Sequence, residues 1–215
     1  MGTKAYNKDH LIVFLFIIFF FTKLTIISHL PLINDEAYTL TISKYFSLSY
    51  FDHPPLMMWV SYFLHYLEIN SLYLFRIPFL LFGLFTTFFL YKIAAIIYSK
   101  EAGTIAACLY FISPFFFFSG GLFIVPDALL NFSVAGTTYL AMKIIFENKN
   151  EAYLWFLFGV LLSIAFLSKY QSYLYGVSLF SAFIVWKRDA FFNYRFYMAL
   201  FISICGLLPV ILWNI

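Results

Sequence analysis

Charge is what this sequence has least of: Asp, Glu, Lys and Arg make up 11% of its 215 residues, while 64% are hydrophobic. Too few polar side chains remain to cover a water-facing surface, which excludes a soluble globular domain. The 13 basic residues leave a net charge of only +3 and are scattered rather than gathered into a patch, which argues against nucleic acid as a partner. Cysteine is almost missing as well. Cys108 and Cys205 both sit inside apolar runs, where they read as packing residues rather than a disulfide or a metal pair. The short alternation of a membrane β-barrel is absent. So is a small-residue cleavage site after the first apolar run, which is therefore expected to be retained as a span.

What is present is hydrophobic length. The mean hydropathy is +0.91, and 31 Phe and 17 Tyr are spread through continuous apolar runs of helical length. The predicted fold is all-α, a polytopic membrane helical bundle that forms a single transmembrane domain over residues 1–215. Seven spans are expected, at 11–30, 72–97, 103–118, 128–146, 153–167, 170–186 and 196–213. Two of these are short for a 30 Å hydrocarbon layer. Lys23 falls inside the first span, where it either snorkels or turns inward to a buried anion.

Residues 31–71 are expected to form the first external loop, with two interfacial helices. In the first, at about 34–49, Tyr38, Ile42, Tyr45 and Phe46 recur at helical spacing opposite Thr39, Ser43, Lys44 and Ser47, and Asn34 or Asp35 can cap its start. The second, 56–67, follows Pro54-Pro55 and is too short to cross.

A cytoplasmic N-terminus carrying Lys4 and Lys8 puts the loops at Lys100, Lys149 and Lys187-Arg188 on the cytoplasmic side, as the positive-inside rule expects. That pattern requires the run 153–186 to split at Ser168-Lys169. The same alternation brings Asp35, Glu36, Asp52, His53, Arg76, Asp127 and Lys169 to the external face. A transporter would more often place such groups near the midplane, on broken helices within an internal repeat; no repeat is visible.

The chemistry open to that face follows from the residue types. A carboxylate just outside a span can take the proton of an acceptor hydroxyl. Asp35 and Glu36 are candidate catalytic acids. Neighbours on a helix diverge by about 100°, so one can face a site while the other caps the helix or binds a metal. A leaving phosphate needs cationic or metal stabilisation; His53, Arg76 and Lys169 could supply it, with Asp52 and Asp127 as acids of a metal or phosphate site. Each residue alone has a plainer reading: a helix cap for Asp35, Glu36 or Asp127, loop filling for His53, a snorkelling cation for Arg76 or Lys169. Their convergence on one plane favours function. No organic cofactor is indicated, and a divalent metal stays open.

The segments NDEAY, YFDHPP, FRIP, SPFFFFSGGLFIVPDALL, LSKYQ and PVILWN occur in this order. In this the sequence resembles the N-terminal half of the polyprenyl-phosphate-sugar-dependent glycosyltransferases, which include protein O-mannosyltransferases and the lipid A aminoarabinose transferase (glycosyltransferase family 39 and relatives, GT-C fold). The resemblance runs over about residues 34–214. It implies inverting transfer of a sugar from a polyprenyl-phosphate donor to a lipid or protein acceptor, outside the cytoplasm of a bacterial inner membrane. It implies Asp35 as base with Glu36 beside it, Asp52 and His53 as the acidic-basic pair of the first loop, and Asp127 near the donor phosphate or a metal. Arg76 and Lys169 match its basic positions. His53 stands where some relatives carry Lys, which makes its charge depend on its surroundings. Relatives continue with further spans, so the chain is expected to be the N-terminal part of such an enzyme. A flippase for a lipid-linked substrate and a non-catalytic membrane subunit are the alternative readings.

Overall fold

The computed structural model describes residues 8–215, with side chains from Ile12 onward. The polar opening with Lys4, and the side chain of Lys8, lie outside the described residues. Helices account for all the regular structure described. They are α1 (Lys8–Ile27), α2 (Asn34–Ile42), α3 (Leu56–Tyr66), α4 (Leu72–Ile97), α5 (Lys100–Ile112), α6 (Pro114–Ser119), α7 (Pro126–Ile145), α8 (Ala152–Ser168), α9 (Ser172–Trp186), α10 (Tyr194–Cys205) and α11 (Leu208–Trp213), with a 3-10 turn at Arg188–Phe192 before α10.

By length and composition, three helices can cross a membrane: α4, α7, and the stretch Tyr194–Trp213 made by α10 and α11. Ile12–Ile27, α8 and α9 are apolar but shorter. The runs expected at 72–97, 128–146 and 196–213 thus form stretches of crossing length, and those at 11–30, 153–167 and 170–186 form shorter apolar helices. The run 103–118 departs furthest. Ser113 is extended, Pro114 starts a new helix, and α5 ends after 13 residues, because a proline has no N–H to continue the ladder and biases its predecessor out of the helical region. In contrast, the run 153–186 divides at Lys169 as the charge pattern requires.

The helices pack as a series: α5 on α4, α4 on α7, α7 on α8, α8 on α10, with α1 against α4 and α9 against α7 and α8. Small residues set the closest approaches, as is usual where lipid removes any hydrophobic drive between helices. A Cβ on Gly83 of α4 would lie 2.1 Å from the Gly120 carbonyl oxygen. This contact presses α4 onto the segment that leads into α7, where Gly121 at φ +146° makes the bend. One core cluster gathers Met57, Met58, Phe75, Phe79, Ile124 and Leu129 beneath the first loop. Trp155, Phe158, Phe183 and Phe196 build another at the opposite end. There Lys187 Nζ donates to Asn148 Oδ1 at 2.9 Å, so two of the basic loops meet.

α2 is shorter than expected, ending at Ile42, and its hydroxyl side is the one packed on protein. Thr39 and Ser43 are buried, while Tyr38, Tyr45 and Phe46 are exposed. Hydroxyl side chains pack closely against protein, and the aromatic side is left exposed, which suits the tyrosines to a membrane–water boundary. Neither Asn34 nor Asp35 caps the helix. Its N-cap is Ile33, whose N–H is accepted by Glu36 Oε2 at 3.3 Å. The rest of the loop is pinned by its own side chains: Trp59 Nε1 donates to the Ser47 carbonyl, Tyr50 Oη to that of Tyr45, and His65 Nε2 pairs with that of Leu40.

Candidate active site

Four segments of the chain line a cavity of about 220 Å³. The first two turns of α2 contribute Asp35, Tyr38 and Thr39, at the i, i+3, i+4 spacing of one helix face. The turn before α3 contributes His53, and the first turn of α3 contributes Met57. The start of α7 and the α8–α9 corner contribute Asp127 and Lys169. Asp35 is exposed and His53 half-buried.

Lys169 is fixed on both sides. Its backbone closes α8, its carbonyl accepts from Ser172 Oγ at 2.6 Å, and its Nζ donates to Asp127 Oδ1 at 2.9 Å. Asp127 follows Pro126 at the start of α7 and makes no capping bond there; it is committed to Lys169 instead. The two side chains keep 24% and 25% of their surface, so the pair faces the cavity and is open to a ligand.

Glu36 and Arg76, also expected at the site, lie beside it and are buried outright. Arg76 Nε and Nη2 fork onto the two Glu36 oxygens at 2.8 and 2.5 Å. Its remaining donors go to the carbonyls of Ile27, Leu30 and Pro31 at 2.8 to 3.0 Å. Glu36 Oε1 and Oε2 further accept from the backbone N–H of Ile124 and Ile33. A guanidinium has five N–H groups and a carboxylate about four acceptor positions, and all are taken. Neither group has capacity left for a substrate or a metal.

Asp52 is at the rim: it accepts from Tyr38 Oη at 2.5 Å. That bond, with burial a smaller contribution, pushes the Tyr38 phenol up to about 12. Tyr38 and Thr39 were not picked out from the sequence as site residues. Their spacing from Asp35 was the available signal. Lys23, one turn from the end of α1, does turn inward, but among the described residues it meets aromatic rings rather than an anion: its Nζ lies 5.2 and 5.7 Å from the Phe117 and Phe111 ring centres.

A model of the dolichyl-phosphate-mannose-protein mannosyltransferase family matches residues 52–213. The chain belongs to that family. Membership makes it a membrane glycosyltransferase of the GT-C type. The match takes in Asp52, His53, Arg76, Asp127 and Lys169 and stops short of Asp35 and Glu36. No curated protein and no solved structure matches the chain.

For a glycosyltransferase the division of the seven residues matters. Asp35, His53, Asp127 and Lys169 share one small polar cavity, Asp52 stands at its edge through Tyr38, and Glu36 with Arg76 forms a closed pair beneath. Among the described residues no three His, Cys, Asp or Glu side chains come together as a metal site.

Proposed function

We propose that this glycosyltransferase moves one sugar from a polyprenyl-phosphate donor to a hydroxyl acceptor on a lipid or protein, with inversion, at the external face of a bacterial inner membrane. The observation that supports it most is the cavity that sets the Asp35 carboxylate facing the same space as Lys169 and His53. At about 220 Å³ it is smaller than the roughly 300–1,000 Å³ of drug-sized ligand pockets, which suits one sugar unit.

In this reading Asp35 accepts the acceptor's O–H proton, and the oxygen attacks the anomeric carbon from the side opposite the phosphate. The bond between that carbon and the phosphate oxygen breaks, and the phosphate leaves with the electron pair. Lys169 and His53 meet the charge as it grows. Asp127 holds Lys169 in place and prevents it from snorkelling away. Tyr38 and Asp52 tie α2 to the turn that carries His53.

Glu36 is adjacent to Asp35 but faces another way, and its saturated pair with Arg76 favours a bracing role over catalysis or phosphate binding. It joins the end of α1, the start of α2, α4 and the segment before α7, so Asp35 and Asp127 are held from the same buried point. The experiment for the whole reading is mass spectrometry of envelope glycolipids and glycoproteins from cells with and without the gene. One sugar missing from one acceptor class is expected; identical profiles under expression conditions would contradict it.

A further inference from the structure

We propose that the groove between α1 and α4, at the end of the bundle away from the cavity, binds an anionic glycerophospholipid, with an acyl chain along the groove and the phosphate on Lys92. The groove measures about 570 Å³ and is walled by Val13, Phe16, Ile17 and Phe20 of α1 and Phe88 of α4, with Lys92 at one end. In a membrane such an apolar trough is filled by hydrocarbon, so a lipid is its natural occupant.

The charge at its end decides which lipid. Lys92 Nζ lies 5.4 and 5.8 Å from the ring centres of Phe88 and Tyr91 on its own helix. Among the described residues it has no ion pair or hydrogen bond, whereas Arg76, Lys169 and Lys187 are each paired with an acid. Its depth fits a headgroup. At 1.5 Å per residue Lys92 lies about 24 Å along α4 from Arg76, which places it near the opposite edge of a hydrocarbon layer about 30 Å thick. A cation at that level with no acid partner among the described residues, held by rings over an acyl-sized groove, matches a phosphodiester with net negative charge. This site is independent of the sugar-transfer reading.

The test is native mass spectrometry of the delipidated protein titrated with phosphatidylglycerol or phosphatidylcholine. The wild type is expected to prefer phosphatidylglycerol, and Lys92→Gln to reduce that preference about fivefold, the value of one lysine near an anionic headgroup. Lys92→Arg should keep it. Ile17→Trp, which fills the groove and leaves the charge, should weaken both lipids alike. Equal preference in wild type and Lys92→Gln overturns the proposal. So does a dimer that separates on Ile17→Trp, since the groove would then belong to a second copy of the chain.

Discussion

Arg76 spends two of its five N–H donors on Glu36 and three on the carbonyls of Ile27, Leu30 and Pro31. Those carbonyls belong to the end of α1 and the turn after it, where a helix has no partners of its own for them. The fork satisfies them and neutralises a buried carboxylate in one arrangement. Cutting the pair leaves an uncompensated charge, so Glu36→Ala should cost about 3–5 kcal/mol of unfolding free energy. Arg76→Lys should not restore wild-type stability, because an ammonium brings three donors and no fork. Denaturant unfolding in detergent micelles measures both. An Arg76→Lys protein as stable as the wild type would mean the fork matters less than its geometry indicates.

The Lys169–Asp127 pair is of another kind. It is partly exposed, and such pairs contribute about 0–1 kcal/mol to stability. Lys169→Gln should therefore unfold within about 1 kcal/mol of the wild type while raising KM for the lipid-linked donor about tenfold or more, the value of a lost charged hydrogen bond. Unfolding assays beside donor-titration kinetics separate the two. A large stability loss with unchanged KM would make Lys169 structural.

Tyr38 gives a pH signature. Its O–H donates to the Asp52 carboxylate, which stabilises the neutral phenol and lifts its pKa to about 12. A raised pKa favours the protonated form in the folded state, so this link is intact below the ordinary tyrosine pKa of about 10 and is lost as pH rises through about 12. Asp52→Asn should return Tyr38 towards about 10. NMR of ring-labelled tyrosine, assigned with Tyr38→Phe, follows the titration. An unchanged Tyr38 titration in Asp52→Asn would show that the carboxylate is not the cause.

What could be read from the residues alone was set by range. The long apolar runs mark helices because burial in lipid depends on local composition, and the positive-inside pattern located the division at Lys169. The break at Ser113-Pro114 was also local and legible, but the flanking apolar residues of the run 103–118 outweighed one proline. The two sides of α2 were legible from spacing, but which side packs on protein was not: Thr39 is buried and Tyr38 exposed, and that choice depends on what the neighbouring helices offer rather than on periodicity. Which of two adjacent acids meets the cavity depends on Arg76, forty positions from Glu36, and no spacing in the sequence records that contact. The convergence of Asp127 and Lys169 followed from counting spans; their pairing did not.

The measurement that decides the catalytic reading is sugar transfer by Asp35→Asn in the intact enzyme, with unfolding and donor binding recorded on the same preparation. Asp35 lines the cavity beside Tyr38 and Thr39, away from the buried Glu36–Arg76 pair, so the amide should fold and bind donor as the wild type does. Loss of a general base costs about 10²–10⁴-fold, and transfer is expected to fall by at least that much. Transfer within a few-fold of wild type, by a folded Asp35→Asn protein that binds donor normally, would contradict the assignment of Asp35 as the base.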